Sequence, residues 1–189
     1  LAGWDIGSER MTTLGTGAGF SIYTPGSTSG IPLNIVGSLA APPIDWDSDA
    51  ETGRDEIEGF VSSLLVLAGI QADPISSPEH ILLANIIEQA WIAGRSLDLA
   101  TLIGQVQEPP IRKLGVFDLD TFFPKKDRTK LAMRLNGLVA SPSFASWLEG
   151  PPLDIQSLLY EEDGRPKASV LYLAHLSDTE RQFVVTLLL

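Results

Sequence analysis

The sequence predicts an α/β fold in which a mostly helical insertion separates two strands of one sheet. Three observations carry this reading. Phe20-Ser21-Ile22-Tyr23-Thr24 alternates, is rich in β-formers, and stops at the turn signal Pro25-Gly26. A second apolar run, Ala168 to Ala174, reads as a buried strand. Between them, about a hundred residues repeat apolar side chains at helical spacing. The expected organisation is a connector with one sheet strand over residues 1–45, a helical insertion over 46–166, and a strand with the start of the following helix over 167–189.

After the first strand, residues 27–43 are rich in Gly, Pro and Ser around the apolar patch Ile31-Pro32-Leu33-Asn34-Ile35-Val36, and read as an ordered connector. Residues 44–58 carry seven acids against one base, Arg54. That run reads as a solvated loop entering a helix start, where carboxylates suit the helix dipole. Ile57, Phe60, Val61, Leu64, Leu65 and Ala68 recur at helix spacing, and Gly69 closes that helix. Ser77-Pro78 is an N-cap and first-turn pair. It opens a helix over 79–93 that is apolar nearly all round and so belongs inside a larger assembly. Asp98 caps a short helix to about Val106. Further helices are expected around 126–140, from Ser141-Pro142 to Trp147-Leu148, and from Asp154 to Tyr160. Glu162-Asp163-Gly164-Arg165-Pro166 turns the chain into the last strand, and His175-Leu176 links that strand to Ser177-Asp178-Thr179-Glu180, a capping box. The helix behind it reaches Leu189 without a stop signal, and residue 1 is Leu rather than Met, so the chain is expected to be a piece of a longer protein.

Composition removes several classes of chemistry. The absence of cysteine excludes disulfides, thiolate zinc sites and a cysteine nucleophile. Two histidines, His80 and His175, make a multi-histidine metal site improbable. No apolar run approaches the ~18–20 residues that span a bilayer, and no signal-peptide pattern is present, so the expectation is a cytoplasmic chain with no membrane partner. A net charge of −11 argues against a chain that simply coats nucleic acid, although a local basic face remains compatible with it.

Few residues point to a site. Leu14-Gly15-Thr16-Gly17-Ala18-Gly19 looks like a phosphate loop but precedes a strand instead of following one, and reads as a flexible turn. No G-x-x-x-x-G-K-[ST] occurs, and no apolar strand ends in Asp-Glu, so this chain alone lacks Walker A and Walker B and is expected to be inactive on nucleotides. Asp118 and Asp120 would share a strand face, yet no third metal ligand accompanies them and capping explains them more simply. His175 falls at the carboxyl end of a sheet strand, where open α/β sheets bind ligands, so His175 and the following cap residue Ser177 are the nucleotide-proximal candidates, the simpler reading of His175 being a loop histidine bonded to local backbone. His80, in the first turn of an apolar helix, reads as structural. Ser62, Ser63 and the other serines have no histidine partner at recognisable spacing, which leaves a hydrolase triad without support. Lys126, Lys130 and Arg134 fall at i, i+4 and i+8 on one helix face. With Arg112, Lys113, Lys125 and Arg128 they make seven of the thirteen basic residues, a candidate phosphate-contacting cluster on an acidic chain, which a solvated helix face or a subunit contact explains equally well.

Several segments together resemble one family: Ile22-Tyr23-Thr24-Pro25-Gly26-Ser27 followed by Pro32-Leu33-Asn34-Ile35; Ser77-Pro78-Glu79-His80-Ile81-Leu82-Leu83; Leu114-Gly115-Val116-Phe117-Asp118-Leu119-Asp120-Thr121-Phe122-Phe123-Pro124; Leu135-Asn136 to Ala140-Ser141-Pro142; Trp147-Leu148-Glu149-Gly150; and Ala174-His175-Leu176-Ser177-Asp178 with Arg181. The pattern resembles the HerA/FtsK-type P-loop ATPases, in the bacterial branch described as helicase HerA-like or ATP-binding proteins, and spans nearly the whole chain. The resemblance implies a middle segment of the motor domain, a mostly helical insertion between strands of a partial RecA-like (P-loop) parallel sheet. In that family the Walker A loop precedes the matched stretch and the Walker B strand follows it, so ATP and Mg would belong to the parent protein and none of the family's catalytic residues carries over. Related motors form hexameric rings that translocate DNA, which implies self-association and DNA as partners. Such rings use an arginine reaching a neighbour's γ-phosphate, and Arg54, Arg128 and Arg181 are candidates. The alternative expectation is an independent helical protein-interaction domain with no catalytic role, its Leu187-Leu188-Leu189 end marking a partner surface.

Overall fold

The computed structural model describes residues 7–35 and 39–188; Leu1, Val36 and Leu189 lie outside the described residues. The chain is mixed α/β. Helix α1 (Ser8–Gly17) leads into strand β1 (Gly19–Tyr23), which pairs in parallel with β4 (Lys167–Leu171). The register runs from Gly19 opposite Lys167 to Tyr23 opposite Leu171. Between these strands come α2 (Ala50–Leu67), α3 (Pro78–Ile92), α4 (Leu99–Gln107), the small hairpin β2 (Lys113–Leu114) and β3 (Phe117–Asp118), α5 (Leu119–Phe122), α6 (Lys125–Ala140), a 3₁₀ helix (Pro142–Trp147) and α7 (Ile155–Leu159). Helix α8 (Asp178–Leu188) follows β4.

The helices obey their local signals. Asp98 accepts the Thr101 N–H at 2.6 Å and Asp154 accepts that of Ser157 at 2.8 Å, so both expected caps are made. The capping box before α8 is reciprocal: the Ser177 N–H donates to the Glu180 carboxylate at 2.8 Å, and the Glu180 N–H donates to the Ser177 hydroxyl at 3.3 Å. Ser77 departs from expectation. It sits at the N-cap position of α3, but its hydroxyl accepts the Asp73 N–H at 2.8 Å and closes the preceding turn instead of capping the helix.

Two further expectations are corrected and one is met. The glycine-rich stretch 14–19 is not a flexible turn: helix α1 runs to Gly17 and β1 begins at Gly19. The hydroxyls of Thr12, Thr13 and Thr16 each donate to the carbonyl four residues earlier, so they bond within the helix and not to a turn. As expected, the acidic run is a loop over 44–49 that enters helix α2 at Ala50, with Glu51 in its first turn. Strand β4 is not buried on both sides. Ile22 and Val170 are direct partners and, with Phe20 and Tyr172, form an outer apolar face that is 51–71% exposed, while Tyr23 and Leu171 turn the other way toward the core.

One hydrophobic core unites the helices. Leu82, Leu83, Ile86, Ile87, Ala90 and Trp91 of α3 are buried between α2 and α4, which accounts for a helix apolar nearly all round. Phe183 and Val184 bring α8 into the same core against α2. The connector is ordered: Leu39 and Leu97 exchange backbone hydrogen bonds at 2.8 and 2.9 Å, and the Trp91 indole N–H donates to the Leu39 carbonyl at 3.2 Å. Among the described residues, no helix is long and apolar enough to cross a membrane.

Candidate functional site

The parallel pairing of β1 and β4 brings their carboxyl ends side by side, and the candidate site is built there. Beyond β1, Thr24-Pro25-Gly26-Ser27 forms a tight turn in which the Thr24 hydroxyl donates to the Ser27 carbonyl at 2.9 Å and accepts the Gly30 N–H at 3.0 Å. Gly26 has φ of 70°, and a Cβ there would lie 2.6 Å from the Trp147 indole, so only glycine lets this turn rest on that ring. Beyond β4, the His175 Nε2–H donates to the Pro25 carbonyl at 2.9 Å, and the imidazole stacks on Tyr172 at 5.8 Å between ring centres. His175 therefore clasps the two strand-end loops together. Its location agrees with the sequence reading, but its hydrogen bond is structural.

Ser177 follows at the start of α8 and borders a cleft of about 430 Å³, opposite Ser141, Ser143 and Trp147. A helix N-terminus attracts anions, yet this one is already occupied. One Glu180 carboxylate oxygen accepts both the Ser177 N–H at 2.8 Å and the Ser177 hydroxyl at 2.7 Å. A phosphate would have to displace the protein's own carboxylate. The residues present thus do not form a nucleotide cradle by themselves.

The arginines separate by environment. Arg54 is exposed on α2 and paired with Glu88 of α3 at 2.7 Å. Arg181 donates to Asp178 at 3.3 Å and to the Leu176 carbonyl at 3.1 Å, bracing the turn into α8. Arg128 is buried; a single Nη1 donates to Asp120 at 2.8 Å and to the Phe123 carbonyl at 2.6 Å. As placed, Arg128 cannot present its guanidinium to a neighbouring subunit, and it belongs to the fold rather than to a surface. Asp120 is accordingly a partner of Arg128, not half of a paired-carboxylate site with Asp118, and the described residues hold no group of three or more His, Asp or Glu suited to a metal.

Lys126, Lys130 and Arg134 are exposed on α6 as the spacing requires. Lys130 is paired with Asp127 at 2.7 Å, and that hydrogen bond holds the Asp127 carboxyl below its ordinary range. Arg134 approaches the Gly69 carbonyl at 3.4 Å, too long to be strong. Beside them lies a cleft of about 520 Å³ with Phe122, Pro124 and Leu131 on its wall and Glu79 and Asp127 among its charges. The basic stripe is thus real but diluted by acids.

One pairing escaped the sequence reading. The Ser62 hydroxyl on α2 lies 3.0 Å from His80 Nε2 on α3. Eighteen residues separate the two, with a helix end and a loop between them, so no spacing rule could find the pair. Burial pushes the His80 pKa below its ordinary value, while the Glu58 backbone carbonyl, the Glu58 carboxylate and Asp73 pull the other way. Nδ1 of His80 makes no hydrogen bond, so no acid orients the ring and the arrangement is not a hydrolase triad. The chain matches no protein-family model, and no curated protein and no solved structure is significantly similar to it.

Proposed function

We propose that this chain is the insertion-bearing middle of a HerA/FtsK-type P-loop ATPase. In this reading the parent couples ATP hydrolysis to movement on DNA in the cytoplasm. The present residues supply scaffold and ring contacts, with a DNA-facing helix at Lys126, Lys130 and Arg134. The observation that carries it is the β1–β4 pair. Parallel strands normally occur in sheets covered on both faces, and here, among the described residues, Phe20, Ile22, Val170 and Tyr172 form an exposed apolar face on a sheet of two strands. A RecA-like sheet would extend at the edges of this pair and cover that face with helices. Insertion of a helical block between two adjacent parallel strands fits the same architecture. ATP and Mg would be held by parent residues, because the α8 N-terminus here is satisfied by Glu180.

The alternative, an independent helical interaction domain, draws support from the shared core of α2, α3, α4, α6 and α8. Its proposed Leu187-Leu188 surface is weakened, since both side chains pack partly against that core. Sequencing the coding DNA on both sides of this segment separates the two. A G-x-x-x-x-G-K-[ST] upstream and an apolar strand ending in Asp-Glu within about thirty residues downstream is the expected result. Stop codons at both edges, or flanks without these motifs, would remove the ATPase reading.

A further inference from the structure

The Ser62–His80 pair has features that a merely packed histidine lacks. His80 is 2% exposed, in the first turn of α3, between that helix and α2. Its Nε2 meets one hydroxyl at 3.0 Å and its Nδ1 meets nothing. A neutral imidazole tolerates this: one nitrogen bonds Ser62 and the other leaves a single group unsatisfied. An imidazolium carries an N–H on both nitrogens, yet Nδ1 makes no hydrogen bond in the fold, and the Glu58 carbonyl, which favours the cation, does not outweigh the burial of the ring. The positive end of the α3 dipole adds to the penalty.

The charged groups that act on His80 are Glu58 on α2 and Asp73 in the loop before α3, and both favour the cation. Asp73 is committed elsewhere. Its Oδ1 accepts the Ser76 N–H at 2.8 Å, the Ile75 N–H at 3.0 Å and the Ser76 hydroxyl at 2.9 Å, closing the turn that leads into α3. Burial is the larger influence, so the neutral ring is the form the fold holds.

Ser62 also faces outward. It borders a partly open cavity of about 190 Å³ between α2 and α8, together with Gly59, Phe183 and Thr186. The Ser62 hydroxyl therefore borders this cavity and bonds the buried imidazole at the same time.

We propose that Ser62 and His80 form an acid-sensitive latch: the neutral imidazole closes the seam between α2 and α3, and protonation opens it through the cavity at Ser62. A group held neutral in the fold and free to protonate in the unfolded chain stabilises fully above its unfolded pKa, near 6.5 for histidine. That stabilisation falls as pH drops from there toward the folded-state pKa.

Urea titrations of the full chain and of His80→Gln from pH 7.5 to 5.0 test the latch. The folding constant of the wild type should drop by up to about tenfold per pH unit below 6.5 relative to His80→Gln, which cannot titrate. Parallel pH profiles would overturn the proposal. Where His80→Gln does not fold, the ring protons of His80 in the wild-type chain give the answer by NMR, assigned with His175→Gln. Ring protons that titrate below the ordinary histidine value in the folded chain, with amide exchange across α2 and α3 speeding up at lower pH beyond its intrinsic trend, are the expected result. A ring that titrates at or above 6.5 while the chain stays folded would refute the latch.

Discussion

Replacing Phe183 with Ala tests whether α8 belongs to the helical core or merely begins another unit. Phe183 is 2% exposed and meets Trp147 edge-on, with ring centres 6.0 Å apart and planes at 70°. Truncating a buried Phe costs about 3–5 kcal/mol, including the edge-to-face contact of roughly 0.5–1.5 kcal/mol. The site already borders a cavity of about 190 Å³, and its other neighbours lie on rigid helices, so the new void would merge with that cavity rather than collapse. The upper half of the range, about 4 kcal/mol, is therefore expected. Domains of this size are stable by about 5–15 kcal/mol, so the variant should still fold. With a urea dependence near 2 kcal/mol per molar, its midpoint should fall by roughly 2 M at unchanged slope. A shift under about 0.5 M would refute the reasoning and place α8 outside the cooperative unit.

Removing the α4 cap with Asp98→Ala should cost about 1 kcal/mol in the same assay. Because the bonds to Thr101 hold the Asp98 carboxyl below its ordinary value near 3.8, the difference between wild type and variant should be full above that pH and close as pH falls through the folded-state pKa. Gly150→Ala should destabilise by about 1–3 kcal/mol, because Gly150 has φ of 91° and a Cβ would collide with the Pro32 carbonyl; an unchanged midpoint would refute that packing. In fluorescence-anisotropy titrations of DNA at several salt concentrations, the triple variant Lys126→Ala, Lys130→Ala, Arg134→Ala should bind more weakly, with a salt slope lower by about one unit per lost phosphate contact. Lys130→Ala alone should have the smallest effect of the three single variants, since its ammonium is already paired with Asp127.

The parts of the fold that were legible in the sequence are those fixed by local rules. Asp98, Asp154 and the Ser177/Glu180 box marked helix starts that the structure makes, because a cap is decided by residues within one turn. Strand β1 and its parallel partner were found from β-rich runs bounded by turns. Where two local rules competed, the reading failed. Glycines in 14–17 argued for a turn, yet helix α1 runs through them to Gly17, with three threonine hydroxyls bonded back to carbonyls one turn earlier. The hairpin of β2 and β3 was missed because each strand has two residues, too few to show alternation; Gly115, with φ of 58°, was its only clear signal.

The candidate site was legible only in position. His175 was placed at the strand ends because parallel topology dictates where strand ends gather. What it does there depends on the Pro25 carbonyl, which comes from a loop 150 residues earlier. Arg128 teaches the same lesson in reverse. Its place in a basic run suggested a surface role, whereas its burial is decided by Asp120 and the Phe123 carbonyl just before α6. A guanidinium that anchors the α5–α6 junction and one that reaches across an interface look alike in sequence, since both need only be an arginine near a helix start. They differ in what remains free. Arg128 has its Nη1 committed twice, so moving it outward would leave the Phe123 carbonyl unpaired, although its buried Nε makes no hydrogen bond where it lies. Among the three arginine candidates, Arg54 gives up least on reorienting, because its exposed pair with Glu88 is of the kind worth little to stability. If the parent is a ring ATPase, Arg54 is therefore the first arginine to replace in search of a contact across subunits. An Arg54→Ala parent that lost nucleotide turnover while keeping its urea midpoint would support that role, and a fall in the midpoint alone would assign Arg54 to the α2–α3 seam.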